Sequence, residues 1–133
     1  MRGTASGWDL AHVLHHVAQS VEYSLSGFPL LKPAWFRASV GPAAFAVFEA
    51  CGRMTHGLDD PIPGGTPIND RQPLAPAVDH LAAALAAFER HTDALAPHFA
   101  YGPLDKPACA RAHLMHLADH WQPVSQDPPK EIA

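Results

Sequence analysis

Several broad classes of protein are excluded by what this sequence lacks. It has only two cysteines, Cys51 and Cys109, in 133 residues, too few for a small fold framed by disulfides. Both lie inside helical patterns, so buried reduced thiols are expected. It has no basic block: 9 Lys and Arg stand against 13 Asp and Glu, a net charge of −4. A nucleic-acid partner therefore has no electrostatic footing. No apolar run approaches the roughly 20 residues of a membrane span. The first residues carry Arg2 as their one basic side chain and no continuous apolar stretch, so no secretory signal is read and a cytoplasmic location is expected. Strand-like alternation, internal repeats and a Ser-His-Asp order are missing too. Gly64-Gly65 has neither the strand–loop–helix setting nor the lysine of a phosphate-binding loop.

Proline and histidine are present in excess. There are 14 prolines, which punctuate the apolar segments, and 10 histidines, more than Lys and Arg together. With 47% hydrophobic residues, the composition is that of one globular domain spanning 1–133. Its core is expected at about 7–122, with 123–133 a loose, proline-rich tail.

Four amphipathic helices are expected. Ser6-Gly-Trp-Asp9 reads as a capping box that opens the first, from about Gly7 to Ser26. Its stripe is Leu10, Val13, Leu14, Val17, Val21 and Leu25, and Gly27 stops it with Pro29 beyond. Phe28 to Gly41 is a connection in which Pro33 can open a short helical turn. The second helix starts at Pro42 and runs through Phe45, Phe48, Cys51 and Met54 to about Gly57. Residues 57–73, with Pro61, Pro63, Gly64, Gly65 and Pro67, form a long crossover of the kind that often serves as a lid but can equally be a plain connection. The third helix carries Leu74, Val78, Leu81, Leu85, Phe88, Thr92 and Leu95 in alternating steps of four and three, a bundle seam. Alanines at 82, 83, 84, 86 and 87 favour helix and allow a neighbour close approach. Asp105 caps the fourth helix, Pro107 sits in its first turn, and Pro123 ends it. The fold class is all-α, a four-helix bundle with a long crossover loop.

The fourth helix holds the chemistry. On a wheel of about 100° per residue, His113, His116 and His120 fall within a roughly 60° arc together with Cys109. Leu114, Leu117 and Trp121 flank that arc, and Arg111, Met115 and Asp119 lie opposite. His116 and His120, four apart, stack one turn above each other and can share a cation. A third ligand has to come from another helix. The first helix offers His12, His15 and His16. None lies at the centre of the stripe, and periodicity does not choose among them; His12 and His15 read as flank or surface residues. His113 is a further ligand candidate or a supporting group. His98, in a turn beside Phe99 and Tyr101, can reach the mouth of the site or cap a helix end. His56, His80 and His91 have no evident partner. Imidazole suits zinc, nickel, copper and iron. Three protein ligands with one open position can activate water or a thiolate.

Three stretches carry a family resemblance: Trp8-Asp-Leu-Ala-His12-Val-Leu-His15-His16 continuing to Tyr23, His98-Phe-Ala-Tyr-Gly102, and His113-Leu-Met-His116-Leu-Ala-Asp-His120. Over residues 7–122 the chain resembles DinB-like proteins, and more narrowly a bacterial branch of that superfamily described only as a domain of unknown function. The resemblance implies a DinB-like four-helix bundle and a divalent metal, zinc or nickel foremost. Its ligands would be His16, His116 and His120. Relatives include transferases and an isomerase that use low-molecular-weight thiols, together with metal-dependent hydrolases, and homodimers are common. The expected function is therefore a metal-dependent enzyme acting on a small molecule. The alternative is a non-catalytic helical module for dimerisation or binding, in which the histidines support the fold.

Overall fold

The computed structural model of the protein describes residues 8–53 and 61–132, without the side chains of 121–132. Ser6, Met54 and His56, singled out above, lie outside the described residues. The described residues form five helices: α1 Leu10–Ser26, α2 Ala34–Ala38, α3 Val40–Cys51, α4 Leu74–Arg90 and α5 Lys106–Ile132. Among the described residues there is no strand, only an isolated bridge between His98 and Gly102. The chain is all-α, with one helix more than the sequence pattern suggested, because Pro33 opens α2 as a separate element.

Helix α1 is the central element. The apolar stripe expected of it is buried from Leu10 to Val21. A second buried face carries His12, His16, Ser20 and Ser24. Both faces are covered because α1 packs against α4 and also against α5. Its N-cap is Asp9, whose Oδ1 accepts from the His12 amide at 2.9 Å. The opposite oxygen of Asp9 accepts from the Arg71 amide at 2.8 Å, so one carboxylate starts the helix and anchors the crossover. These two amides, that of His12 foremost, hold the Asp9 carboxyl below its usual range against a desolvation that raises it.

The α4 seam keeps Leu81 and Phe88 of the expected pattern but replaces its other members within the helix by alanines. Ala77, Ala84 and Phe88 are buried, whereas Leu74, Val78 and Leu85 are exposed. Ala84 and Phe88 pack with Ala18 and Val21 of α1 and Cys109 of α5, and Ala77 packs with Leu10, Ala11 and Leu14. Alanine on both helices allows a backbone approach that leucine would block, so the small residues take the interface. The helix ends at Arg90, and Thr92 and Leu95 follow it as loop.

Helix α5 is covered from two sides. Cys109 faces α1 and α4, while Ala112 and Met115 pack on Phe45 of α3. Met115 is therefore buried and Leu114 is 66% exposed, the reverse of the single-faced wheel. The start is as expected: Asp105 Oδ1 accepts from the Ala108 amide at 2.9 Å. The end is not, for the helix extends to Ile132 where a loose tail after Pro123 was expected. A proline forgoes one backbone bond and crowds the preceding turn, which disfavours a helix without forbidding it. Helix α3 ends earlier than expected, at the left-handed Gly52, and this leaves Cys51 exposed rather than buried.

The connection between α4 and α5 is clamped on α2 and α3. A Cβ on Gly41 would lie 1.7 Å from the Ala100 carbonyl oxygen, so only glycine permits this approach. Gly102, at φ 79°, turns the chain with the Arg37 carbonyl against it.

Candidate metal centre

His16 comes from α1, and His116 and His120 come from successive turns of α5. One nitrogen from each ring lies within 4.8 Å of those of the other two. His16 Nε2 and His116 Nε2 are 3.1 Å apart. The ring centroids form a nearly equilateral triangle, with separations of 4.9, 5.1 and 5.0 Å. Tetrahedral zinc with nitrogens at about 2.0–2.1 Å places them roughly 3.3 Å from each other, so modest adjustment of the rings suffices to hold such an ion. His16 and His120 are buried, at 2% and 0% exposure. His116 is half-buried and looks onto a cavity.

Trp8 closes one side of the triangle. Its ring stacks on His12 at 4.1 Å, meets His16 edge-on at 5.0 Å and lies nearly parallel to His120 at 5.9 Å. Sequence reasoning assigned Trp8 no part in the site. The available signal was its place at the head of the first stretch that carries the family resemblance. The other residues of interest are deployed elsewhere. His12 is buried rather than on the surface, and its Nδ1 lies 2.7 Å from Asp70 Oδ1. His15 meets His80, Nδ1 to Nδ1 at 2.7 Å, and His80 Nε2 reaches Glu22 at 3.0 Å. Burial, then the neighbouring His80, pushes the His15 pKa down. His91 stays at the end of α4, its Nε2 3.3 Å from the Ala94 carbonyl oxygen.

His113 stands apart from the triad. Its Nε2 lies 3.1 Å from Ser24 Oγ and 3.4 Å from Cys109 Sγ, and its ring packs edge-on against Phe88. Burial pushes its pKa down to about 4 and raises that of the Cys109 thiol, which makes Cys109 a poor nucleophile.

Residues 2–127 match the family described as "Protein of unknown function (DUF1569)". The chain belongs to that family. No curated protein and no solved structure matches it.

In this DUF1569 chain the triad adjoins a cavity of about 500 Å³. His16 and His116 form part of its wall, with Phe36, Phe48, Ile62 and Phe99 as apolar lining. Lys32, which is exposed, is the one Lys, Arg, Asp or Glu among the described lining residues. Tyr101, also in the wall, is held as a neutral phenol: burial first, and the Asp119 carboxylate second, raise its pKa to about 12. His98 is kept neutral as well, with its pKa driven down to about 3 by burial and, secondarily, by His113.

The described part of the crossover, 61–73, lies pinned along α1. Gln19 donates to the Thr66 carbonyl at 2.8 Å, the Thr66 amide donates to the Tyr23 hydroxyl at 3.2 Å, and Ile62 is buried. These contacts hold 61–73 against α1, and Pro61, Ile62 and Pro63 line the cavity. No described helix is long and apolar enough to cross a membrane.

Proposed function

We propose that this DUF1569 protein is a DinB-like helical-bundle protein that binds one divalent cation through His16, His116 and His120. It would present that cation to a small molecule held in the adjoining cavity. The observation that carries this reading is the convergence of three imidazoles from two helices, two of them in the wall of a largely apolar cavity. Three neutral imidazoles suit zinc or nickel and leave a position open for a further ligand. A cation bound there would supply Lewis acidity toward that ligand. The chain's own residues do the rest. Trp8 and the helix packing keep water from the buried side, the aromatic lining desolvates the bound molecule, and His98 and Tyr101 offer neutral hydrogen-bonding groups. This set suits a thiol-dependent transferase or a metal-dependent hydrolase acting on a small, largely apolar molecule.

Elemental analysis of protein purified without a metal-affinity column tests the reading, with wild type and His120→Ala side by side. About one zinc or nickel per chain in the wild type, lost in the variant, is the expected result. Absence of metal from the wild type after incubation with zinc, nickel and manganese would overturn it.

One observation favours a second reading as a helical dimerisation module. Leu74, Val78 and Leu85 share one exposed flank of α4, an apolar strip that a second copy of the chain would cover. Sedimentation equilibrium of wild type and a Val78→Glu, Leu85→Glu double variant tests it. A dimer that becomes a monomer supports this reading, and a monomeric wild type removes it.

A further inference from the structure

The turn His98–Gly102 holds one histidine in a single chemical form. His98 Nδ1 accepts from two backbone amides, those of Ala100 at 3.0 Å and Tyr101 at 3.1 Å. A nitrogen that accepts from two N–H groups carries no proton of its own. The neutral ring must therefore bear its proton on Nε2. Protonating Nδ1 would set three donors against one another. The turn itself is fixed by the reciprocal backbone bonds of His98 and Gly102, at 2.9 and 3.2 Å. It is fixed further by Gly41 packed on Ala100 and by the Lys32 amide donating to the Phe99 carbonyl at 2.9 Å. Tyr101 stacks on the imidazole at 4.2 Å and Phe99 at 4.6 Å. His98 lines the cavity, and with Nδ1 engaged by the backbone the polar group it has left for a ligand is Nε2–H.

We propose that His98 is a pre-oriented Nε2–H donor that selects, among apolar small molecules entering this cavity, those carrying an uncharged carbonyl oxygen. The proposal deepens the reading of the cavity as a substrate pocket and rests on it. An apolar wall penalises a charged ligand and gains most from a molecule that is apolar apart from one acceptor. A neutral donor recognises that acceptor without the desolvation cost of an ammonium or imidazolium.

The test uses metal-free protein, so its outcome is independent of the metal centre, whose occupancy is measured separately on the same variant. Two probes of nearly equal shape are titrated by calorimetry: acetophenone, with C=O, and α-methylstyrene, with C=CH2 in its place. Wild type should bind acetophenone about fivefold to tenfold more tightly, the worth of one hydrogen bond. In His98→Asn the amide oxygen can keep the acceptor role of Nδ1 while the distant donor is lost. That variant should bind both probes alike, keep the wild-type affinity for α-methylstyrene and take up metal as wild type does. Nitrogen-15 spectra of histidine-labelled wild type give a second readout that needs no variant. His98 should be the Nε2–H tautomer from pH 8 to pH 5, and its Nε2–H signal should shift with acetophenone and not with α-methylstyrene. Equal wild-type affinity for the two probes, failure of wild type to bind acetophenone, or an Nδ1–H or titrating His98 in that pH range would each overturn the proposal.

Discussion

His16 Nε2 and His116 Nε2 lie 3.1 Å apart although a hundred residues separate them in the chain. Two ring nitrogens at this distance share one proton or one cation, because a proton on each would point two N–H donors at one another. A divalent cation and protons therefore compete for the same nitrogens, and binding should weaken below about pH 6, where free imidazoles protonate. Zinc at one hundred times its dissociation constant should stabilise the fold by about 2.7 kcal/mol at pH 7.5. That gain should be largely lost at pH 5. Thermal melts with and without zinc at the two pH values check this, and an equal shift at both would place the cation elsewhere.

Acid should also destabilise the protein without any metal. The folded-state pKa of His113 lies at about 4, below the value of 6.5 for a free imidazole, because of burial. Between pH 6.5 and about 4 the unfolded chain binds a proton at this position that the folded chain refuses. Stability is therefore complete above pH 6.5 and declines as pH falls through that window. The slope attributable to one such histidine reaches about 1.4 kcal/mol per pH unit. Urea unfolding at pH 7, 6, 5 and 4.5 should show a steeper decline for wild type than for His113→Leu, whatever the variant's stability at pH 7. Parallel curves would mean that His113 takes up its proton over the same pH range in the folded and unfolded chains.

Elements whose determinants are local were legible in the sequence. The α1 stripe, its stop at Gly27 and the Asp105 cap of α5 each depend on neighbours within a turn. The spacing of His116 and His120 is equally local, and the resemblance supplied His16. What was not legible depends on contacts distant in sequence. Asp9 is the cap of α1, and the same carboxylate also binds the Arg71 amide far along the chain. His12 is buried because Asp70 and Trp8 cover it. Met115 turns inward because α3 packs on a face of α5 that a one-sided wheel assigns to solvent. The role of His98 depends on two amides in its own turn, whose geometry no periodicity describes.

The two thiols should differ sharply in reactivity. Cys51 is exposed at the end of α3, whereas Cys109 is buried and its pKa is raised chiefly by desolvation. An aromatic disulfide reagent at pH 8 should titrate one thiol per native chain quickly and the second only in denaturant. Cys51→Ser should remove the fast phase. A fast phase that survives this substitution would show that Cys109 is reached through the cavity it lines.

The phase of α4 can be tested by contrasting neighbouring residues. Ala84 is 2% exposed and packs in the cluster that contains Ala18, whereas Leu85 beside it is 43% exposed. If alanines set the helix separation, Ala84→Leu forces α1 and α4 apart and should cost about 1–3 kcal/mol. In a domain of this size that is a fall in Tm of roughly 3–10 °C. Leu85→Gln removes the larger and more apolar side chain, yet it should change stability by no more than about 0.5 kcal/mol. The leucine pattern alone predicts the opposite ranking, with Leu85 as a seam residue and the position beside it tolerant. Thermal melts of the two variants at one protein concentration decide between the two phases. If Leu85→Gln proves the more damaging, either α4 is rotated toward the leucine seam or its exposed flank is buried against a second copy, and a concentration series separates these by the dependence of Tm on protein concentration.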